Sequence, residues 1–445
     1  MSIELITILM FGGLVLMLLL GMPVAFATGG VAVIFITTLW GPHALSVVAL
    51  RISGQMYQYL LFAIPLFVFL ACIMERCGII EDMFTCFMEW SGPLRGGLAI
   101  AVILTGTLLA AVMGIIGAAV VTLGIIALPT MLERKYDQKF AMGAIMAGGT
   151  LGILIPPSIL FIMYALVAAE SCGKLFMGGI LPGLVLSALF IIYSLIRCWR
   201  NPSLGPALSK EELAKLTWKK KFLDLRGIAP PLLLIFAIFG SILTGIASIT
   251  EAAGIGAFLA MMIAAVKGRL NWKNVWDAST RGVTTTAMVM WTIFGAQAFV
   301  AFYIAQGGDK FVTNLIVGTG LGPYGILAII MGILIFLGMF IDWVGIMYLC
   351  VPIFLPIIKI CGFDPLWFGV VYNVNMQISF LSPPFGYALF YLKGVAPPDT
   401  KMEDIFKAAL PFIGLQLIGL VIAIRFPWLC TWLPNVVFPS GVAAP

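Results

Sequence analysis

Charged residues are scarce in this chain of 445 residues: only 10% are Asp, Glu, Lys or Arg, whereas 62% are hydrophobic. About a quarter of the residues of a soluble domain are charged, and disordered chains contain few hydrophobic residues. The deficit therefore excludes an ordinary soluble enzyme and a disordered protein. Because a membrane-spanning helix needs about 20 apolar residues, the composition predicts an all-α polytopic membrane protein without a second, soluble domain.

Histidine is almost absent, since His43 is the single one. One histidine excludes a His-rich metal site, an HExxH helix and a two-histidine haem. The chain also lacks a GxSxG turn and a Walker loop, which excludes ATP-driven transport within this chain. The eight cysteines form no CxxC pair, and we interpret them as free buried thiols. We therefore expect no enzymatic activity.

Basic residues are missing before Arg51 and cluster in segment 197–226, where only Glu211, Glu212 and Asp224 oppose them. Cytoplasmic loops carry an excess of Lys and Arg, so we interpret this segment as a cytoplasmic loop rather than a nucleic-acid surface. The N-terminus has no basic region typical of a cleaved signal peptide, so the first apolar segment is expected to remain as a helix.

Long apolar runs predict eight membrane spans, with Gly and Pro at their ends. They cover residues 4–20, 24–40, 56–78, 178–197, 228–244, 251–266, 283–305 and 404–427.

Two further apolar regions, 98–166 and 325–394, are interrupted by Gly, Pro and polar residues and are related to each other. In each region a Leu-Pro pair, ending at Pro129 or Pro356, precedes a Pro-Pro pair, ending at Pro157 or Pro384, and the two regions are offset by 227 residues. We predict a first repeat over 1–166, a connecting helix and basic cytoplasmic loop over 167–227, a second repeat over 228–394, and a C-terminal helix and tail over 395–445.

Loop charge predicts that the two repeats have inverted topology. The segment after the first Leu-Pro pair carries Arg134, Lys135 and Lys139 against two acids, whereas its counterpart balances Lys359 against Asp364. A net basic loop and a neutral loop are expected on opposite faces of the membrane. With loop 197–226 in the cytoplasm, the spans place both termini on the outside.

The interrupted regions predict two re-entrant hairpins, at about 98–130 and 325–357, and two broken helices, at about 138–166 and 365–394. Each Pro-Pro pair removes two backbone donors and leaves preceding carbonyls free, and such breaks are the usual sequence sign of a secondary transporter. Freed carbonyls can bind Na⁺, and half-helix N-termini can face an anion. The alternative is a pair of full spans whose small residues pack against neighbouring helices.

Polar side chains near these breaks are candidate ligands. Asp342 is an isolated carboxylate in an apolar stretch, either functional or the cap of a half-helix. Glu251 begins a span, and its place in the first turn favours a structural role over a chemical one. Side-chain oxygens that either bind a ligand or join helices are those of Thr150, Gln377, Ser379 and Ser382.

Several motifs together make the chain resemble the large membrane subunit, of the DctM-like family, of the tripartite ATP-independent periplasmic (TRAP) transporters. The resemblance covers essentially the whole chain. The motifs are GMPVAFATG (21–29), GGTLGILIPPSI (148–159), SITEAAGIGA (248–257), IDWVGIMYL (341–349), LPIIKICGFDPLWFGV (355–370) and LSPPFG (381–386).

This resemblance implies an elevator-type carrier in the bacterial inner membrane, with a scaffold and a moving domain that holds both hairpins. It implies Na⁺-coupled uptake of an organic acid delivered by a periplasmic binding protein, together with a small four-helix membrane subunit. Two or more Na⁺ and no organic cofactor are expected. A stand-alone ion-coupled carboxylate carrier or antiporter of the same broader fold is the alternative.

The resemblance also implies the site residues. One Na⁺ site involves Gly114, Ile116, Gly117, Thr150 and Gly152, and the other involves Asp342, Gly345, Gln377, Ser379 and Leu381. The expected substrate contacts are Gly117, Ala118, Pro156, Pro157, Ser158, Trp343, Ser382, Pro383 and Pro384.

Two departures from the family pattern bear on these sites. The first tip reads MGIIGAAVVT where many relatives are Ser-rich, so backbone carbonyls have to replace hydroxyl ligands there. The second tip has Asp342-Trp343 where Asp-Pro is common. Trp343 suggests an apolar or aromatic contact, for example with a keto acid or another monocarboxylate.

Overall fold

The computed structural model describes residues 1–114, 116–208, 220–221 and 224–439. These residues form helices and connecting turns, with no strand among them, which confirms the predicted all-α class. Ile115 at the first predicted tip, most of the predicted basic loop (209–219 and 222–223) and the last residues of the predicted tail (440–445) lie outside the described residues.

The first half of the chain contains ten α-helices. They are α1 (Ile3–Leu19), α2 (Val24–Leu39), α3 (Leu45–Met56), α4 (Ala63–Arg76), α5 (Ile79–Ser91), α6 (Gly97–Met113), α7 (Ile116–Glu133), α8 (Gln138–Thr150), α9 (Ile159–Ala168) and α10 (Cys172–Arg200).

A second set of ten follows the basic loop. They are α11 (Ala229–Leu243), α12 (Ile249–Val266), α13 (Trp272–Ala305), α14 (Gly308–Val317), α15 (Pro323–Gly338), α16 (Trp343–Ile360), α17 (Pro365–Leu381), α18 (Tyr387–Lys393), α19 (Met402–Arg425) and α20 (Trp428–Val437).

Short polar side chains mark where several of these helices begin. Asp137 accepts a hydrogen bond from the third residue of α8, and Asp364 caps α17 in the same way. Ser248 and Glu251 form a reciprocal capping box at the start of α12. Each cap satisfies backbone donors that the first helical turn leaves unpaired. Glu251 is therefore a structural residue, as its first-turn position indicated.

Eight helices of the described chain are long and apolar enough to cross a membrane. Their outward side chains include Leu19, Phe236, Val266 and Val421, each more than half exposed. Large apolar side chains on the outside of an apolar helix suit a lipid environment rather than water. The protein is thus a multi-pass membrane protein.

The first hairpin, α6–α7, enters and leaves the helix bundle at one end. Gly96, just before α6, donates a backbone hydrogen bond to Gly205 (2.8 Å), and Asp137, just after α7, donates one to Leu204 (3.1 Å). Both ends of the hairpin therefore meet the same stretch after α10. We call this the basic-loop end.

The second hairpin, α15–α16, opens at the opposite end. The ring of Tyr324 at the start of α15 lies 5.4 Å from the ring of Phe363, just beyond α16. Tyr164, near the last turn of α9, donates a hydrogen bond to the carbonyl of Pro365 at the start of α17 (2.7 Å). Because α8 starts at the basic-loop end and α9 continues in the same direction, this contact places the second opening at the far end. The two hairpins are thus inverted relative to each other.

The hairpins and broken helices correspond closely along the chain. Helices α7 and α16 begin and end 227 residues apart, as α8 and α17 begin 227 residues apart. Their packing is crossed: α7 packs against α18 of the second broken helix, and α16 packs against α9 of the first. Fold class and hairpins agree with the sequence analysis, whereas the division of the chain into four segments stays a prediction.

Ion pairs concentrate at the basic-loop end. They are Arg76–Asp277 (3.2 Å), Lys139–Asp404 (3.0 Å), Lys220–Glu89 (2.6 Å), Arg281–Glu75 (3.6 Å), Lys407–Glu403 (2.6 Å) and Lys267–Asp82. Glu89 is only 4% exposed, and burial raises the pKa of its carboxyl group, an effect that Lys220 opposes. These pairs tie α4 and α5 to the starts or ends of α12, α13 and the basic loop.

Candidate functional site

The tip of the first hairpin touches the first helix break. Gly114 ends α6 in the left-handed region, with φ +60°, where a residue with a side chain is strained. A Cβ atom at this position would lie 2.7 Å from the carbonyl oxygen of Pro157. The structure thus brings together Gly114 and Pro157, two of the predicted site residues.

The same tip also reaches the second broken helix. A Cβ atom on Gly117 would lie 2.9 Å from the ring of Tyr391, which belongs to α18. Ala118, the next residue, is half-buried. The glycine is therefore required for this close approach, and it joins elements of both halves of the chain.

The first break is completely enclosed. Helix α8 ends at Thr150, a short 3₁₀ turn follows, and α9 begins at Ile159. The Ser158 hydroxyl donates to the carbonyl of Ile153, and the Thr150 hydroxyl donates to the carbonyl of Ala147 (2.9 Å). Predicted residues at this break that are buried are Thr150, Gly152, Pro156, Pro157 and Ser158.

Asp342 at the second tip has two functions for its two carboxylate oxygens. Oδ2 accepts hydrogen bonds from the backbone of Val344 (3.2 Å) and Gly345 (3.4 Å), so Asp342 caps α16. Oδ1 is buried and has no hydrogen-bond partner among the described residues. Capping and ligand binding, which the sequence left as alternatives, are therefore compatible at this residue.

The second break carries a group of buried polar atoms without partners. On α17, both amide atoms of Gln377 and the hydroxyl of Ser379 are buried and unpaired among the described residues. A Cβ atom on Gly338, at the end of α15, would overlap the Ser379 hydroxyl, so the hairpin packs directly on this group. Buried polar atoms are nearly always satisfied in proteins, and a water molecule or an ion is the usual partner when no protein group is near.

The residues that follow are more accessible than those of the first break. Ser382 is buried and its hydroxyl donates to the carbonyl of Ile378 (2.7 Å), whereas Pro383 is half-buried and Pro384 is exposed. Trp343 at the tip is half-buried, and Leu381 is buried at the end of α17. Among the predicted substrate contacts, those of the second tip and break are therefore accessible, and Pro156, Pro157 and Ser158 are not.

Comparisons with known proteins agree with this geometry. Residues 11–429 match the family described as "Tripartite ATP-independent periplasmic transporter, DctM component". The chain is 31% identical to the C4-dicarboxylate TRAP transporter large permease protein DctM of Vibrio cholerae, over 98% of both chains. It is also 31% identical to the isethionate TRAP transporter permease protein DctMQ of Oleidesulfovibrio alaskensis, over 94% of this chain and 65% of that protein.

The chain belongs to the DctM family of TRAP transporter large permease subunits. Members of this family are transporter subunits and not enzymes. Among solved structures, the YdaH transporter of Alcanivorax borkumensis is similar in fold, with a TM-score of 0.62, 16% identity, and coverage of 88% of this chain and 90% of that one. This likeness concerns the fold alone.

Two features of this DctM chain were not identified from its sequence. Gln416 of α19 donates a hydrogen bond to Thr150 (3.3 Å), although the two residues are 266 positions apart. Exposed rings of Phe340 and Phe385 lie 6.2 Å apart, between the second tip and the second break. The isolated glutamine in an otherwise apolar span was a sequence signal for the first, whereas the second has none in such a Phe-rich chain.

The DctM chain offers oxygen ligands rather than a transition-metal site. The described residues contain no group of three or more His, Cys, Asp and Glu side chains near one another. The second tip instead combines one carboxylate oxygen with amide and hydroxyl groups that lack partners. Hard cations prefer such oxygen ligands, so these residues fit a cation such as Na⁺.

Proposed function

We propose that this DctM subunit imports an organic anion by coupling its movement to Na⁺. The observation that carries the proposal is the second tip, where Asp342 Oδ1, Gln377 and Ser379 remain unpaired and buried. An unpaired carboxylate oxygen and an unpaired amide are costly in an apolar interior unless a cation or water compensates them.

Two coupling sites follow from the paired tips. The first is lined by Gly114, Ile116, Gly117, Thr150 and Gly152, which supply mainly backbone carbonyls. The second is lined by Asp342, Gly345, Gln377, Ser379 and Leu381. Binding of Na⁺ at the tips would fix the hairpins against the broken helices, and a bound substrate would then complete a closed unit.

The crossed packing supports an elevator movement. Helices α7 and α18 are in contact, as are α9 and α16, so the two hairpins and two broken helices interlock. A different set of helices packs together elsewhere: α2 with α13, and α4 with α12 and α13. In our proposal the interlocked set moves as one body, and the second set forms the scaffold.

The proposed substrate is an organic acid. The relatives named above carry C4-dicarboxylate and isethionate in their names, and both are small organic anions. Substrate would lie between the tips, against Gly117, Ala118, Trp343, Pro384 and neighbouring residues. The half-buried indole of Trp343 provides an apolar surface for the carbon chain of a keto acid or another monocarboxylate.

The proposed assembly has two further components: a small four-helix membrane subunit on the scaffold, and a periplasmic binding protein that delivers the substrate. We place the complex in the bacterial inner membrane, with both termini in the periplasm. The excess of Lys and Arg at the basic-loop end supports this orientation.

Uptake into proteoliposomes tests the coupling. The full assembly is supplied with radiolabelled pyruvate, succinate or isethionate, each with its binding protein, under an imposed Na⁺ gradient or an imposed proton gradient. We expect accumulation of one acid with Na⁺ alone, with a rate that rises more steeply than first order if two ions bind. Accumulation driven by protons in Na⁺-free medium would refute Na⁺ coupling.

A further inference from the structure

A glutamine outside both repeats reaches the first helix break. Gln416 lies in the middle of α19 and is fully buried, with an exposed fraction of 0%. Its Nε2 atom donates to Thr150 Oγ1 (3.3 Å), and Thr150 is the last residue of α8 before the break. An amide in the middle of an apolar span is costly, so its burial at this point requires an explanation.

The hydrogen bond to Thr150 explains only half of the amide. The Thr150 hydroxyl gives its hydrogen to the carbonyl of Ala147 and accepts the one from Gln416. Gln416 Oε1 is buried and has no partner among the described residues. A carboxamide that served only to join α19 to α8 would gain nothing from this unsatisfied oxygen.

The first tip lacks the side-chain oxygens that the second tip possesses. No residue from Ala111 to Val121 carries a side-chain oxygen, whereas the second tip has Asp342. At the repeat offset of 227, Thr150 corresponds to Gln377, a carboxamide on the broken helix itself. The first break therefore has threonine where the second has glutamine, and Gln416 brings a carboxamide to it from another helix.

We propose that Gln416 is a side-chain ligand of the cation at the first tip, and that its Oε1 replaces the hydroxyls missing from that tip. This inference rests on the Na⁺ coupling proposed above. A half-turn of the terminal amide exchanges Nε2 and Oε1, two atoms that differ little in size. After this exchange, Oε1 and Thr150 Oγ1 face each other, which is favourable only with a cation between them.

Thermal unfolding of the purified full-length chain, titrated with NaCl against choline chloride at constant ionic strength, tests the inference. The test variant is Gln416→Met, which keeps the length of the side chain and removes both polar atoms. The matched control is Gln138→Met, because Gln138 makes the same kind of bond, to Thr400 (2.8 Å), at the basic-loop end and away from both tips.

For Gln416→Met we expect the half-saturating Na⁺ concentration to rise roughly tenfold or more, the usual consequence of losing a group at a metal site. Gln138→Met should lower the melting temperature in choline and leave the Na⁺ titration unchanged. If Gln416→Met behaves like this control, with half-saturation within about twofold of the wild type, Gln416 is a structural residue and the inference is wrong.

A second variant covers the case in which Gln416→Met does not fold. Gln416→Glu keeps an oxygen at the site and adds a titratable group, so half-saturation by Na⁺ should become pH-dependent, with tighter binding at higher pH. A titration as insensitive to pH as that of the wild type would contradict the ligand role. If the wild type shows no stabilisation specific to Na⁺, the coupling proposal itself fails, and the two failures are thus distinguishable.

Discussion

At the scale of single residues, Asp342 combines a structural and a chemical role in one side chain. One carboxylate oxygen caps α16 through Val344 and Gly345, and the other is buried without a partner. Asparagine is as good an N-cap as aspartate, whereas alanine leaves the backbone donors of the first turn unpaired. The two substitutions therefore separate the cap from the charge.

We predict that Asp342→Asn preserves folding and weakens the dependence of uptake on Na⁺, because it keeps the cap and removes the negative charge. Asp342→Ala should in addition lower stability by about 1 kcal/mol. Membrane insertion, the melting temperature and the Na⁺ concentration for half-maximal uptake are the measurements. Normal Na⁺ dependence of Asp342→Asn would leave Asp342 with a structural role only.

Glu251 provides the opposite case, a carboxylate whose bonds are accounted for by the capping box. Its Oε2 accepts hydrogen bonds from the backbone and hydroxyl of Ser248 (2.7 and 2.8 Å). We predict that Glu251→Ala destabilises the chain by roughly 0.5–2 kcal/mol, as other cap losses do, and leaves half-maximal uptake at the same Na⁺ concentration. A changed Na⁺ dependence would assign Glu251 a role in coupling.

At the scale of elements, the hairpin tips depend on tight backbone geometry. Gly114 and Gly307 both have positive φ, +60° and +83°, but only Gly114 faces another element. A Cβ atom on Gly307 meets nothing within 4 Å, whereas one on Gly114 meets the Pro157 carbonyl. The pair isolates the contact between tip and break from the conformational cost of the glycine.

We predict that Gly114→Ala and Gly307→Ala both pay about 1–2 kcal/mol for the left-handed conformation. Only Gly114→Ala should also displace the first tip from its break and reduce Na⁺-dependent stabilisation. Melting temperatures with and without Na⁺ measure both effects. Equal Na⁺-dependent stabilisation in the two variants would show that the contact between Gly114 and Pro157 is not needed for ion binding.

The sequence predicted the hairpins and broken helices well because their signals are local. Each Pro-Pro pair interrupts a helix wherever it lies, and the offset of 227 made the two interruptions comparable. The structure starts α7 and α16, and α8 and α17, at that spacing. Short helices such as α3 and α14 were not predicted, because they are too short to span and their ends are set by tertiary packing.

The contact between Gln416 and Thr150 could not be predicted for a different reason. It joins two helices 266 residues apart in sequence, and only one of them belongs to a repeat. No periodicity or motif links such positions, so the partner of an isolated polar residue in an apolar span emerges only from the packed structure. The predicted Na⁺ and substrate residues themselves stay predictions until ligand binding is measured.

At the scale of the whole molecule, the two ends differ in charge. Lys267, Lys273 and Arg281 lie at the basic-loop end, which also contains the ion pairs between α4 or α5 and α12 or α13. The opposite end has few basic residues, with Lys359 next to the opening of the second hairpin. Under the positive-inside rule the basic-loop end faces the cytoplasm.

We predict that a membrane-impermeant maleimide labels Leu321→Cys in intact cells, and labels Lys273→Cys only after permeabilisation. Both positions are exposed, and they lie at opposite ends of the molecule. A Cys361→Ser background removes the one native cysteine that is not buried among the eight. Labelling of Lys273→Cys in intact cells would reverse the proposed orientation.

The last prediction concerns how much of the transport process this chain can perform alone. Its described residues are nearly all in membrane helices and short connections, so the part of the chain that the structure describes contains no evident module for capturing dilute substrate outside the membrane. An elevator also needs a scaffold that stays still while the moving body slides, and additional lipid-facing helices would resist tilting. A binding protein and a small membrane subunit would supply these two functions.

We therefore expect the purified chain to be stabilised by Na⁺ but to show little uptake of free substrate. Adding the small subunit and the liganded binding protein should restore uptake, because the binding protein raises the local substrate concentration at the external face. The measurement is uptake into proteoliposomes with each component left out in turn, and a Na⁺-free sample as the control. Full-rate, Na⁺-driven uptake by the chain alone would contradict the tripartite proposal and favour a stand-alone carrier of the same fold.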